Sequence, residues 1–290
     1  MTNVVEMKNV SKSFKNFSLK DVSFSIKRGY VTGFIGENGA GKSTTIKLLM
    51  NLLRKDSGEI TIFGLDQEKH NQEIKERIGF VYDENCYYDT LSIRELRRII
   101  APLYQNWDDH RFEKYLEQFR LPEKQLVKSF SKGMKMKMAI AFAISHDPEL
   151  IIMDEPTSGL DPVFRREILE LLRGIMLDER KTIFFSTHIT TDLEHIADYI
   201  TFIHNGKILF SKEKDELREE YGIVKGSKEL LDSDTEKEFV SIRKTNVGFE
   251  GLTSNIAQTK ALFGDEVVIE KPSLEDIMYY TSKGDVPCTR

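Results

Sequence analysis

Gly36-Glu-Asn-Gly-Ala-Gly-Lys-Ser-Thr44 decides the fold. It fits the phosphate-loop pattern G-x-x-x-x-G-K-[ST] without a mismatch, at Gly36, Gly41, Lys42 and Ser43. Its flanks are those the pattern requires. Tyr30 to Ile35 is an apolar run suited to a buried strand. After Lys42, Ile46, Leu49, Leu52 and Leu53 fall on one helical face, with Gly58 beyond the end. Glycines let the backbone turn tightly and aim its N–H groups at an anion, and the positive end of the following helix faces the same point. Lys42 adds a charge for the β- and γ-phosphates, and the Ser43 hydroxyl suits Mg²⁺. A chance glycine-rich turn would lack this strand and this helix.

The rest of the chain can be read outward from that loop. Val4 to Val10 and Val22 to Ile26 read as strands of an antiparallel edge sheet. Phe14 and Phe17 lie in their connection, and the reading favours Phe14 as the ring that stacks on adenine. Ile60 to Phe63 continues the sheet. Arg77 to Glu84 reads as a further strand, one that ends in two carboxylates, Asp83 and Glu84. Leu91 to Phe130 is charged, with apolar residues at helical spacing (Ile93, Leu96, Ile100; Phe112, Leu116, Phe119), and reads as a helical insertion in an α/β core. Phe130-Ser-Lys-Gly-Met134 leads into an apolar helix, Met136 to Ser145, with Ser131 as its cap and Gly133 leaving backbone N–H groups open.

Leu150 to Met153 is an apolar run ending in Asp154 and Glu155. A carboxylate at a strand end suits Mg²⁺, and a second one beside it can take a proton from an attacking water. Ser158 to Asp161 reads as a tight turn, and Val163 to Leu177 as a helix. Thr182 to Phe185 is a buried strand that delivers His188 to the ligand-binding edge of the sheet. The sheet is expected to close near Ile200 to Phe210, followed by a linker helix from Lys212 to Tyr221. Residues 225 to 282 read as a separate, more polar unit: strands at Glu238 to Arg243 and Glu266 to Glu270, a helix over 250–263, and a last helix opened by a capping box at Ser273 and Asp276.

The bulk numbers are those of an ordinary soluble chain. A net charge of −5 and 31% charged residues give no electrostatic footprint for nucleic acid. The 2 cysteines, Cys86 and Cys288, make no metal cluster and suggest a reducing compartment. No apolar run approaches the roughly 18 residues of a membrane helix. The expectation is therefore a cytoplasmic protein, held at a membrane, if at all, by another polypeptide.

Together these motifs resemble, in order, those of the ATP-binding subunits of ABC transporters. Gly36 to Thr44 is similar to the Walker A loop, Phe130 to Met134 to the signature, Ile151 to Glu155 to Walker B with its catalytic glutamate, Ser158 to Asp161 to the D-loop, and His188 to the switch histidine. Phe14 lies at the position of the adenine-stacking aromatic. The resemblance covers residues 1 to about 220. It is nearest to Gram-positive exporter ATPases, including those of amphipathic-peptide exporters, and Asn106-Trp-Asp108 also looks like that group. Two departures stand out. Asp83 falls where the family has its Q-loop glutamine, and the signature carries Lys132 and Met134 in place of its first glycine and its glutamine.

The resemblance implies an α/β P-loop ATPase core with an antiparallel β subdomain, a helical subdomain (about 86–148) and a small α+β accessory domain. The ATPase unit would span 1–211 and the linker helix with accessory domain 212–290. It implies ATP held by Phe14, Gly36, Asn38, Gly39, Ala40, Gly41, Lys42, Ser43 and Thr44. A partner protomer would add Ser131, Gly133 and Asp161. Mg²⁺ would sit at Ser43, Asp83 and Asp154, and catalysis would fall to Glu155 and His188. Implied partners are a separately encoded membrane-spanning permease and a second ATPase subunit, identical or not, placing the chain on the inner face of the cell membrane. Other readings are an ABC ATPase of ribosomes or DNA repair, a nucleotide-gated module with little turnover, and a GTPase. The chain has one ATPase unit, no heptad run and no Asn-Lys-x-Asp guanine motif.

Overall fold

The structure is a computed structural model that describes residues 2–83 and 86–283. Glu84, Cys288 and the last residues of the chain lie outside this description. The chain runs β1 (Asn3–Ser13), β2 (Ser18–Lys27), β3 (Val31–Ile35), α1 (Lys42–Leu49), β4 (Ser57–Ile62), β5 (Leu65–Asp66), α2 (Asn71–Glu76) and β6 (Ile78–Val81). Next come α3 (Ile93–Ile100), α4 (Asp109–Gln118), α5 (Lys132–Ile144), β7 (Leu150–Asp154), α6 (Pro162–Ile175), β8 (Thr182–Thr187), α7 (Thr190–Ile196), β9 (Tyr199–His204) and β10 (Lys207–Glu213). It ends with α8 (Lys214–Glu220), β11 (Gly222–Gly226), β12 (Ser241–Lys244), β13 (Phe249–Thr253), α9 (Ile256–Phe263), β14 (Val268–Glu270) and α10 (Leu274–Lys283).

A six-stranded sheet in the order β10-β9-β3-β8-β7-β6 carries the centre of the molecule. Its strands are parallel except β10, which returns against β9. Both faces are covered, which explains why β3, β7 and β8 read as continuous apolar runs. Alternate residues point to opposite faces. Phe34, Ile152 and Phe184 enter one core with α1 and the antiparallel sheet β2-β1-β4-β5. Ile35, Ile151, Met153, Ile183 and Phe185 enter another beneath α5, α6 and α7. Burying a side chain of this size stabilises the fold by about 1.5–3 kcal/mol.

The expected insertion is helical. The Ser92–Glu95 capping box starts α3 and Asp108 caps α4. Their apolar faces (Ile93, Leu96, Phe112, Leu116) close over Met138 and Phe142 of α5 in a core of their own. At the carboxyl end the reading needs correcting. Residues 250–253, expected as helix, form part of β13, the inner strand of a sheet ordered β12-β13-β11-β14. Helix begins only at Ile256, behind the Asn255 cap. The linker is likewise split: β10 continues to Glu213, and α8 occupies Lys214–Glu220. One hydrophobic cluster joins Phe185, Leu193 and Ile196 to Leu252, Leu274, Ile277 and Tyr280, so the final segment shares its core with the central sheet.

Candidate functional site

The carboxyl ends of the parallel strands converge on a cleft of about 750 Å³, within the ordinary size for a ligand site. Its lining includes Asn38, Gly39, Gly41, Lys42, Ser43, Thr44, Asp83, Glu155 and His188. The loop after β3 turns through Gly41 at φ +116°, where a Cβ would also lie 2.6 Å from the Leu19 side chain. Helix α1 then starts without a side-chain cap. Its first-turn N–H groups are thus left for an anion.

Lys42 is nearly buried. Its Nζ donates to the Gly36 and Glu37 carbonyls, at 2.8 and 3.2 Å, and stands 3.1 Å from Glu155 Oε1. The other Glu155 oxygen, Oε2, lies 2.8 Å from His188 Nδ1. Three side chains chosen from separate motifs are therefore in one contact chain. Glu155 adopts φ +49°, a strained conformation for a residue with a Cβ. Its N–H is held by Ser186, through the carbonyl and the hydroxyl, both at 3.1 Å.

Asp154 is fully buried at the end of β7. Ser186 Oγ donates to its Oδ1 at 2.5 Å, while Oδ2 is buried without a hydrogen-bond partner. Burial pushes the Asp154 carboxyl above its ordinary range. The Ser186 and Ser43 hydroxyls pull it back, and the Asp83 and Glu155 charges add to the rise. A buried orphan carboxylate oxygen near a serine hydroxyl is hard-oxygen chemistry, and it fits Mg²⁺, which takes one or two protein oxygens and fills the rest with phosphate and water. Among the described residues no cluster of three or more His, Cys, Asp or Glu forms an all-protein metal cage.

The other expected residues are placed differently. Gly36 and Ala40 form the loop's inner side: a Cβ on Gly36 would lie 2.4 Å from the Ile203 carbonyl, and Ala40 is buried. Phe14 lies outside the cleft lining and is 46% exposed, whereas Phe17 lines it. The Phe14 N–H to Phe17 carbonyl bond (2.8 Å) closes the turn, and the two rings stack at 6.4 Å. Ser131 caps α5 by accepting from the Met134 N–H at 3.2 Å, and Asp161 caps α6. Neither lines this chain's own cleft. Gly133 has a packing reason: a Cβ there would meet the Phe164 ring at 2.7 Å. Asn16, Phe17, Lys132 and Ser158 also line the cleft, though the sequence assigned none of them to the nucleotide. Lys132 reaches it from α5 across Gly159.

A family model described as ABC transporter matches residues 19–158. The bacitracin transport ATP-binding protein of Bacillus licheniformis is 36% identical over 75% of this chain and 72% of its own. This chain belongs to the ABC transporter family. It is an ATP-binding subunit and an ATPase of that family. Within the family, the lantibiotic transport ATP-binding protein of Streptococcus pyogenes is 35% identical over 73% of this chain and 92% of its own. A solved ATP-binding subunit of an ABC transporter superposes with a TM-score of 0.66 at 31% identity, over 74% of this chain and 92% of that one. ATP-binding subunits of ABC transporters work with separate membrane subunits. No helix among the described residues is long and apolar enough to cross a membrane.

Proposed function

We propose that this ABC transporter subunit hydrolyses ATP in the cleft between α1 and the β7–α6 turn, and drives export through a separate membrane-spanning permease. The observation that carries the reading is the Lys42–Glu155–His188 contact chain at the mouth of an uncapped helix. Residues 1–211 would be the motor, 86–148 its helical part, and 212–290 the accessory segment. Lys42, the loop N–H groups from Asn38 to Thr44 and the α1 terminus bind the triphosphate. Phe17, backed by Phe14, offers the base a ring face. Ser43, Asp83 and Asp154 would hold Mg²⁺, which supplies charge neutralisation on the phosphates when bound. Glu155 orients a water and accepts its proton, and His188 holds Glu155 and the terminal phosphate in register.

Exposed Ser131, with Gly133 buried beside it and Asp161, would serve the cleft of a second protomer, identical or related. Ser131, at the N-terminus of α5, does not line this chain's own cleft, which supports an anion role for that terminus toward a partner. Two nucleotides would then be closed between two subunits. Moving such a dimer from 1:99 to 99:1 closed needs about 5.5 kcal/mol. Each site would supply roughly half, within reach of a few charge-assisted hydrogen bonds. The names of the similar subunits, which refer to bacitracin and lantibiotics, support an amphipathic peptide or an antibiotic-like molecule as cargo. The test is Glu155→Gln: ATP binding should persist and turnover should stop. Turnover at the unmodified rate would refute the assignment of the base.

A further inference from the structure

Helix α7 starts two residues after His188, and its Asp192 is buried at 1% exposure. The Thr157 hydroxyl donates to Asp192 Oδ2 at 2.6 Å, and Arg165 Nε of α6 lies 3.0 Å from Oδ1 as an ion pair. Thr157 is itself 1% exposed and sits two residues beyond Glu155. The same turn is closed by the Ser158 N–H to Glu155 carbonyl bond (3.1 Å) and by the Leu160 N–H to Thr157 carbonyl bond (3.3 Å). A single carboxylate thus ties the segment that carries Glu155 to the segment that carries His188.

Helix α7 is a firm base for such a tie. Leu193 presses on the strand that feeds the phosphate loop, so closely that a Cβ on Gly33 would lie 2.3 Å from it. On the far side, Glu194 Oε1 accepts from the Leu274 N–H at the start of α10, at 3.2 Å. A strained residue such as Glu155 keeps its conformation only where its surroundings over-determine it. Buried, charge-assisted hydrogen bonds are the strong kind, and they fix geometry tightly.

We propose that Asp192 is a positioning residue for hydrolysis: through Thr157 it holds the turn that bears Glu155 in register with His188. This rests on Glu155 and His188 acting in the cleft as described above. Neither Asp192 nor Thr157 lines the cleft, so nucleotide binding does not need them directly. Loss of the bond should therefore fall on kcat rather than on the affinity for ATP.

The experiment compares Thr157→Val, Thr157→Ser, Asp192→Asn and the double variant Thr157→Val/Asp192→Asn for kcat, ATP affinity and thermal unfolding. Thr157→Val, nearly isosteric, should lower kcat by roughly tenfold or more while ATP affinity stays within about threefold. Thr157→Ser, which keeps the hydroxyl, should restore most of kcat. The double variant should be little worse in kcat than the poorer single one, because Thr157 acts through Asp192. Unchanged kcat in Thr157→Val, or losses that multiply in the double variant, would overturn the assignment. If Asp192→Asn does not fold, the Thr157 pair decides alone. Glu155→Gln separates the two failures: if it still turns over, the reading of the cleft falls whatever Thr157 does.

Discussion

Lys42 Nζ stands 3.1 Å from Glu155 Oε1, with both side chains almost entirely shielded from water. The group proposed to bind phosphate and the group proposed to activate water are thus paired with each other. A buried pair broken from one side leaves an uncompensated charge. Glu155→Gln should therefore unfold at lower temperature than the parent chain when free. Because the competing carboxylate is gone, ATP should raise its unfolding temperature by more than it raises the parent's. Thermal unfolding with and without ATP reads both effects; equal shifts in the two proteins would show that the pair does not compete with phosphate.

Lys42→Ala removes the cation and leaves Glu155 facing the phosphates alone. ATP affinity should fall by about 100-fold or more, the loss of one strong charge-assisted bond plus the repulsion left behind. Calorimetric titration measures it. A change below about threefold would place the triphosphate elsewhere.

His146 gives the fold a pH dependence of its own. It is buried, its Nε2 lies 3.1 Å from the Ile78 carbonyl, and its ring stacks on Tyr104 at 3.9 Å. Burial is the main cause that lowers its pKa from 6.5 to about 4. The unfolded chain takes up a proton as pH falls through 6.5 and the folded chain does not until about 4, so stability is lost across that window. The total is on the order of 3 kcal/mol at most. Denaturant unfolding between pH 7 and 4 should show the loss, and His146→Gln should flatten it. An equally steep profile in that variant would assign the effect to other groups.

Gly133→Ala tests the packing under the signature turn. The new Cβ would meet the Phe164 ring at 2.7 Å, and overpacking of this kind costs about 1–3 kcal/mol. Adding Phe164→Leu should recover part of the stability, as read by denaturant midpoints. No loss in the single variant would mean that α5 and α6 separate more easily than their packing indicates.

The phosphate loop, Walker B strand and switch histidine were legible because each needs a particular residue type within a few positions of an apolar strand. Local pattern carries that information. What stayed hidden depends on distant segments. Residues 250–253 are too short and too glycine-interrupted to show a strand period, and they become β13 because β11 and β12 flank them. Phe14 and Phe17 look alike in sequence, and only the turn between β1 and β2 brings Phe17 to the cleft. Asp192 reads as an ordinary helix-surface acid until α7 packs against Thr157. The shared core beneath α10 is equally non-local, since Leu193 and Ile277 are far apart along the chain.

Closure over nucleotide is the central claim, and sedimentation of the Glu155→Gln chain measures it most directly. With ATP and Mg²⁺ it should run as a dimer, and with ADP as a monomer. Adding Ser131→Arg, at the exposed start of α5, should keep it monomeric even with ATP. A dimer that persists in the Ser131→Arg background, or a Glu155→Gln chain that remains monomeric with ATP, would contradict it.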